Sequence, residues 1–196
     1  MCGFSSLTDR NPHILRAESG EYVRMAHEDS KPAITGLGEK AMLSGWLDHH
    51  RAVLLHKCAG LTDEQARTAA VPPSTLHLLG LLRHMSDNEV WWFRERLRGE
   101  QIADADYLAT DEQPDGDLNP PPDATLAEAV EQFTVACARS RQIVGALPNL
   151  DFEGTSSRSP DEPMSARWIV THMLEEYARH NGHADLLRER LDGATG

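Results

Sequence analysis

Near the end of the chain, His172, Glu176, His180 and His183 follow one another at spacings of four, four and three residues. On a helix those spacings put the four side chains in one continuous stripe. Ile169, Met173, Leu174, Tyr177, Ala184 and Leu187 flank it, which sets the stripe beside an apolar face. A second interior imidazole, His84, falls among Leu78, Leu81, Leu82, Met85 and Trp91 in an earlier helical stretch. Neutral imidazoles and a carboxylate are good ligands for Zn²⁺ and other divalent first-row metals, and a buried carboxylate costs far less when it coordinates a cation. Glu176 and His180, one turn apart, are placed to approach one ion from the same helix, and His84 can close a facial triad from another. Three protein ligands leave a position for water or substrate, which is the arrangement of a reactive site.

Each of these residues also has a blander reading. His84 alone suits a core histidine with both ring nitrogens satisfied, and Glu and His four apart can simply pair in water. An imidazole on each of two helices favours the internal site. His183 and His172 are then the catalytic candidates, to hold a ligand carboxylate or move a proton. Asn88, one turn beyond His84, is the candidate contact to a bound cofactor or substrate, or to a helix neighbour. Trp46, Trp91, Trp92 and Trp168 read as core or pocket wall.

Four helical patterns must position these groups. Met42, Leu43, Trp46, Leu47, Val53 and Leu54 recur every three or four positions from about Glu39 to Cys58, with Gly60 placed to end the helix. Thr62 and Gln65 stand in capping-box spacing for one short turn. After Val71-Pro72-Pro73, Ser74 can cap a second helix over about Thr75 to Arg98, stopped by Gly99. Thr125 and Glu128 form a capping box for a third, Leu126 to Ala146. The fourth starts near Met164 or Ser165 and continues to about Leu191, with Arg188 and Arg190 in its last turns and Gly193 beyond. Residues 101–123, acidic and rich in Pro and Gly, and the stretch from Asn149 to Pro163 read as long irregular connections. No strand pattern competes, so the fold class is an all-α bundle. Residues 1–36 read as an irregular lead-in and 37–196 as the bundle.

The 196 residues suffice for one domain with a sizeable core. A formal net charge of −12 argues against nucleic acid and anionic membranes as partners. No apolar run is long enough to span a membrane, and Met1-Cys2-Gly3-Phe4 lacks the look of a signal peptide. A cytoplasmic protein with a small-molecule substrate is the expectation, with a homodimer as a modest prior. Cys2, Cys58 and Cys137 are too few and too scattered for a disulfide framework or a thiolate zinc motif. Cys58 and Cys137 read as small buried apolar residues.

From residue 40 onward the chain resembles the DinB superfamily, in particular its largely uncharacterised actinobacterial branch. The matching stretches are Trp46-Leu47-Asp48, Gly60-Leu61-Thr62-Asp63-Glu64-Gln65, Val71-Pro72-Pro73-Ser74, Leu79-Gly80-Leu81-Leu82-Arg83-His84 and Glu176 through Leu186. The resemblance implies a four-helix bundle, up-down-down-up, with a long crossover. It also implies one divalent metal ion on His84, Glu176 and His180, the Glu-containing triad being similar to that of mycothiol-dependent maleylpyruvate isomerase. Zinc is the first expectation, with nickel, iron or manganese as alternatives.

Relatives of this kind use mycothiol or another low-molecular-weight thiol, so the resemblance implies a thiol-dependent S-transferase or isomerase acting on a small electrophile. The residues themselves leave open a metal-dependent hydrolase and a non-catalytic metal-binding or stress-response protein.

Overall fold

A computed structural model describes residues 36–103, 107–154, 156 and 160–195; the lead-in, apart from Gly36, and Cys2 lie outside the described residues. The helices are α1 (Glu39–Cys58), the single turn α2 (Asp63–Ala66), α3 (Leu78–Glu89) with a π-helical continuation over Val90–Leu97, α4 (Leu126–Ala146) and α5 (Ala166–Asp192). No strand forms among the described residues; Glu153 and Ser165 make one isolated antiparallel bridge. No described helix is long and apolar enough to cross a membrane.

Local chemistry accounts for most of the boundaries. Thr62 with Gln65, and Thr125 with Glu128, form reciprocal capping boxes at α2 and α4. The Ser165 hydroxyl accepts the Trp168 N–H to start α5, and Gly193, at φ +79°, ends it in the left-handed conformation that favours glycine. The start of α3 departs from expectation. Ser74 takes the N–H of Leu76 in a tight local turn instead of capping a helix, and the cap is His77, whose Nδ1 accepts from Gly80. The second half of that helix departs too, because from Val90 its turns widen to the π form. That widening spaces Trp92 toward α5 and turns Phe93 into the core.

Cross-helix contacts give the chain direction of each helix. Glu39, His50 and Lys57 of α1 meet Arg167, Asn181 and Asp185 of α5 in that order, so α1 and α5 run parallel. At the start of α4, the Leu126 N–H reaches Asp63 beside the entry to α3, while Arg139 farther along reaches Glu100 beyond its end. α3 and α4 are therefore parallel, as the long 98–125 connection between them allows. His84 faces His180 and Trp92 faces His172, which makes α3 and α5 antiparallel. The bundle is thus up-down-down-up.

Its core is Leu-rich, with Leu54, Leu78, Leu79, Leu81, Leu82, Met85, Phe93, Phe133, Met173 and Tyr177 fully buried. Through it runs one polar knot. Arg51 of α1 donates from Nε and Nη2 to the two oxygens of Glu89 on α3, both at 2.8 Å, and its third nitrogen, Nη1, reaches Asp48. The Tyr177 hydroxyl of α5 donates to Glu89 Oε1 at 2.5 Å, and the Ser140 hydroxyl of α4 points to the Glu89 carbonyl. The Arg51 guanidinium lies 5.7 Å from the Phe93 ring centroid. The side chains of Arg51 and Glu89 are only 3% and 0% exposed, so each ion depends on the other for solvation. Arg51→Met is expected to lower the unfolding free energy by about 3–5 kcal/mol, and Tyr177→Phe by about 1–3 kcal/mol. Urea denaturation at unchanged slope checks both.

Candidate metal centre

The bundle brings together His84 from α3 and Glu176 and His180 from α5. One donor atom from each lies within 4.8 Å of the other two. His180 Nε2 stands 3.2 Å from Glu176 Oε2, and the His84 and His180 rings meet edge-on with centroids 4.9 Å apart. Around a zinc ion bound at about 2.0–2.1 Å, tetrahedral donors sit roughly 3.3 Å from one another, so the Glu176–His180 pair already has the spacing of two ligands on one ion. The side chains of His84, Glu176 and His180 keep 25%, 14% and 12% of their exposure. A small molecule can therefore reach them.

Each ligand candidate has a supporting contact. The Nδ1 of His84 lies 2.6 Å from Asp117 Oδ2, and Asp117 is nearly buried. The amide nitrogen of Asn88 sits 3.0 Å from His84 Nε2 and 3.1 Å from the His84 carbonyl. Asn88, expected to reach a cofactor, a substrate or a helix neighbour, thus rests against His84, its neighbour one turn back. The Nδ1 atoms of His180 and His183 are 3.4 Å apart, which places His183 behind the His180 ring, on the side away from Glu176. Arg179 flanks Glu176 at 3.6 Å.

His172 stands apart from the triad. Its ring stacks on Trp168 at 5.0 Å and meets Trp92 edge-on at 4.5 Å, with Nδ1 4.0 Å from Glu175. With Glu175 and Glu176 it forms a second group of donors within 4.8 Å of one another, so Glu176 belongs to both groups. Trp168 is exposed and forms an aromatic margin to the site, whereas Trp46 packs beside His49 and His50 on α1.

Asp117 is the residue that sequence reasoning missed. It sits in the acidic 101–123 stretch, where composition reads only as a surface loop. The loop is clamped to α3 by residues one turn apart. Arg83 donates to the carbonyls of Gly116 and Asp117, and Asp87 accepts the N–H groups of Leu108 and Ala109. Gly80 lets the loop come closer still, since a Cβ there would lie 2.6 Å from the Leu118 carbonyl oxygen. The helical repeat Gly80, Arg83, His84, Asp87 was the available signal, but nothing in it names the loop residue that would meet it.

The charges are tuned by burial. Burial pushes the Asp117 carboxyl up, but the hydrogen bonds from His84 and from the Leu118 N–H outweigh it and hold it below the usual value. Burial raises Asp87 to about 6 despite its two backbone donors. Burial, then the neighbouring His84 and His183, lowers His180 to about 4. Between about 4 and the ordinary imidazole value the folded metal-free chain thus binds fewer protons than the unfolded chain at this ring. The stability His180 contributes is present at neutral pH and lost as pH falls through that window. An NMR titration of the metal-free protein is expected to place the His180 midpoint near 4; a midpoint at the ordinary value would mean that water solvates the ring.

Cys58 and Cys137 are fully buried free thiols, as expected, and burial pushes both up, Cys58 to about 12. Neither can supply a thiolate at neutral pH.

Comparison with known proteins supplies the family. A solved structure described as the conserved protein of a locus from Enterococcus faecalis superimposes with a TM-score of 0.56 at 13% sequence identity, covering 81% of this chain and 99% of that one. At that identity the likeness speaks to the fold alone. No curated protein sequence gives a significant match. The Mycothiol-S-transferase family matches residues 42–193, a span that contains α1 from its fourth residue, the other three long helices, the clamped loop and the His84–Glu176–His180 cluster. The chain belongs to the Mycothiol-S-transferase family, within the DinB superfamily.

Proposed function

We propose that the protein is a divalent-metal-dependent enzyme that activates a low-molecular-weight thiol, mycothiol in the first instance, and joins the thiol through its sulfur to a small electrophile. The observation that supports this is the convergence of two imidazoles and one carboxylate on a reachable point, in a chain of this family whose described cysteines are both buried and inert. Neither described cysteine can donate the sulfur, which fits a thiol supplied as a separate small molecule. His84, Glu176 and His180 would hold the ion, and the donor set suits zinc first, with nickel, iron or manganese as alternatives. When bound, the ion supplies Lewis acidity that lowers the pKa of a thiol at the open position.

The protein's own groups do the rest. Glu176 would offset the charge of a bound ion, and the depressed pKa of His180 keeps its lone pair available well into acid. His183 holds the His180 ring from behind through its Nδ1 contact. His172, one turn from Glu176 and seated between Trp92 and Trp168, is the candidate acceptor for the thiol proton. In the transfer the S–H proton leaves, a carbon–sulfur bond forms, and the leaving group departs with its electron pair. In an isomerase the thiolate adds to an activated double bond and is later expelled. An acidic chain with no membrane-crossing helix among the described residues fits work on small molecules in the cytoplasm, alone or as a homodimer.

Metal analysis of the untagged protein by inductively coupled plasma mass spectrometry is expected to find about one ion per chain, lost in His84→Ala and His180→Ala. With that ion and added mycothiol, the parent should convert a fluorogenic electrophile to its thioether, and the two variants should not. Turnover that proceeds without thiol would replace this reading by hydrolysis. A parent that retains no divalent metal after reconstitution would leave a non-catalytic binding protein.

A further inference from the structure

The His84 side chain is held at both ring nitrogens, and the two contacts together define where its proton sits. The Asn88 amide nitrogen is 3.1 Å from the His84 carbonyl, which can only accept. That contact identifies the atom as the NH₂ end of the amide. The same nitrogen lies 3.0 Å from His84 Nε2, so Nε2 must be the acceptor and carry the lone pair. In the neutral ring the proton then belongs to Nδ1, where Asp117 Oδ2 waits at 2.6 Å.

Asp117 is itself held for this task. Its second oxygen, Oδ1, accepts the Leu118 N–H at 2.8 Å, its carbonyl accepts from Arg83 Nε at 3.2 Å, and the preceding Gly116 carbonyl accepts from Arg83 Nη2. The carboxylate thus serves two donors with two oxygens, one of them the histidine ring. From these contacts we infer that Asp117 is a positioning residue that locks His84 as the Nδ1–H tautomer and so presents its Nε2 lone pair to the ion site. The inference rests on the metal reading of His84 for its purpose, but the tautomer itself exists with or without an ion. It also assigns a role to the acidic connection between α3 and α4, which carries an outer-sphere partner of the site. An ion taking that lone pair would have to displace the Asn88 amide from Nε2, whereas the Asn88 bond to the His84 carbonyl does not use the ring.

Asp117→Asn tests the assignment with almost no change of shape. An asparagine offers one acceptor where the aspartate offers two. If its oxygen keeps the Leu118 N–H, its NH₂ faces His84 Nδ1 and demands a lone pair there, which drives the proton to Nε2. Long-range ¹H–¹⁵N spectra of the metal-free parent, taken at about pH 8.5 to keep the imidazole neutral, should show His84 as Nδ1–H. Asp117→Asn should shift it toward Nε2–H, and Asp117→Ala should leave a mixture of tautomers. Asp115→Asn, at an exposed position in the same loop, should leave the parent spectrum. Zinc affinity measured by competition with a chelating dye should fall about 10–100-fold in Asp117→Asn and Asp117→Ala and stay at the parent value in Asp115→Asn.

A parent ring found as Nε2–H would overturn the inference. So would Asp117 variants that keep both the parent tautomer and an affinity within about twofold of the parent. If the parent shows Nδ1–H, lost in Asp117→Asn, yet binds no zinc, the positioning contact stands and the metal reading of the triad falls.

Discussion

A buried ion pair with nowhere else to go organises this molecule. Arg51 and Glu89 are both withdrawn from water, so each must find its counter-charge and its hydrogen bonds inside the protein. The bidentate geometry permits only one relative height of α1 and α3. Tyr177 extends the constraint to α5 by donating to the same carboxylate, and Ser140 brings in α4. An apolar core of leucines tolerates sliding and repacking; a fork of guanidinium on carboxylate does not. Such a pair contributes little net stability beside a hydrophobic substitute, but it restricts which packing the helices can adopt.

The candidate metal centre is built on that register. Glu89 lies five residues after His84, and Tyr177 directly follows Glu176, so the two helices that carry the donors are pinned within about a turn of them. The pinning holds the donors of α3 and α5 at one level of the bundle, where they converge. On the far side of Glu89 the helix widens to the π form, which carries Trp92 to His172 and extends the site toward an aromatic margin. Ordered backbone thus holds the donors, while the exposed edge is left to the aromatic side chains and the stripe of histidines.

The connection from α3 to α4 is held to its helix in a way that its composition conceals. Parallel neighbours need a long link, and the link could have run free over the surface. Instead Gly80, Arg83 and Asp87 present a glycine notch, a cation and a carboxylate along one face of α3, and the loop's own carbonyls and N–H groups fit them. The result is a loop with few apolar residues that is ordered by backbone hydrogen bonds to charged side chains, and that carries Asp117 to His84. Loops that bear function on a rigid scaffold commonly work this way.

Periodicity and capping chemistry alone determined the four helices, three of them to within a residue or two of their ends, because those features are local. The stripe of His172, Glu176, His180 and His183 was legible for the same reason, since spacing on one helix needs no partner. Pairing the stripe with His84 was an inference across the bundle, drawn from chemistry rather than geometry. Only the tertiary structure decided what each of these residues meets. It set His183 behind His180, drew His172 aside into a tryptophan pair, and turned Asn88 onto His84. The start of α3 at Leu78, its π-helical second half and the arrival of Asp117 at His84 likewise depend on residues far apart in the chain. Hydrogen bonds between distant segments leave no period in a sequence, and a buried charge shows its partner only once the helices have packed.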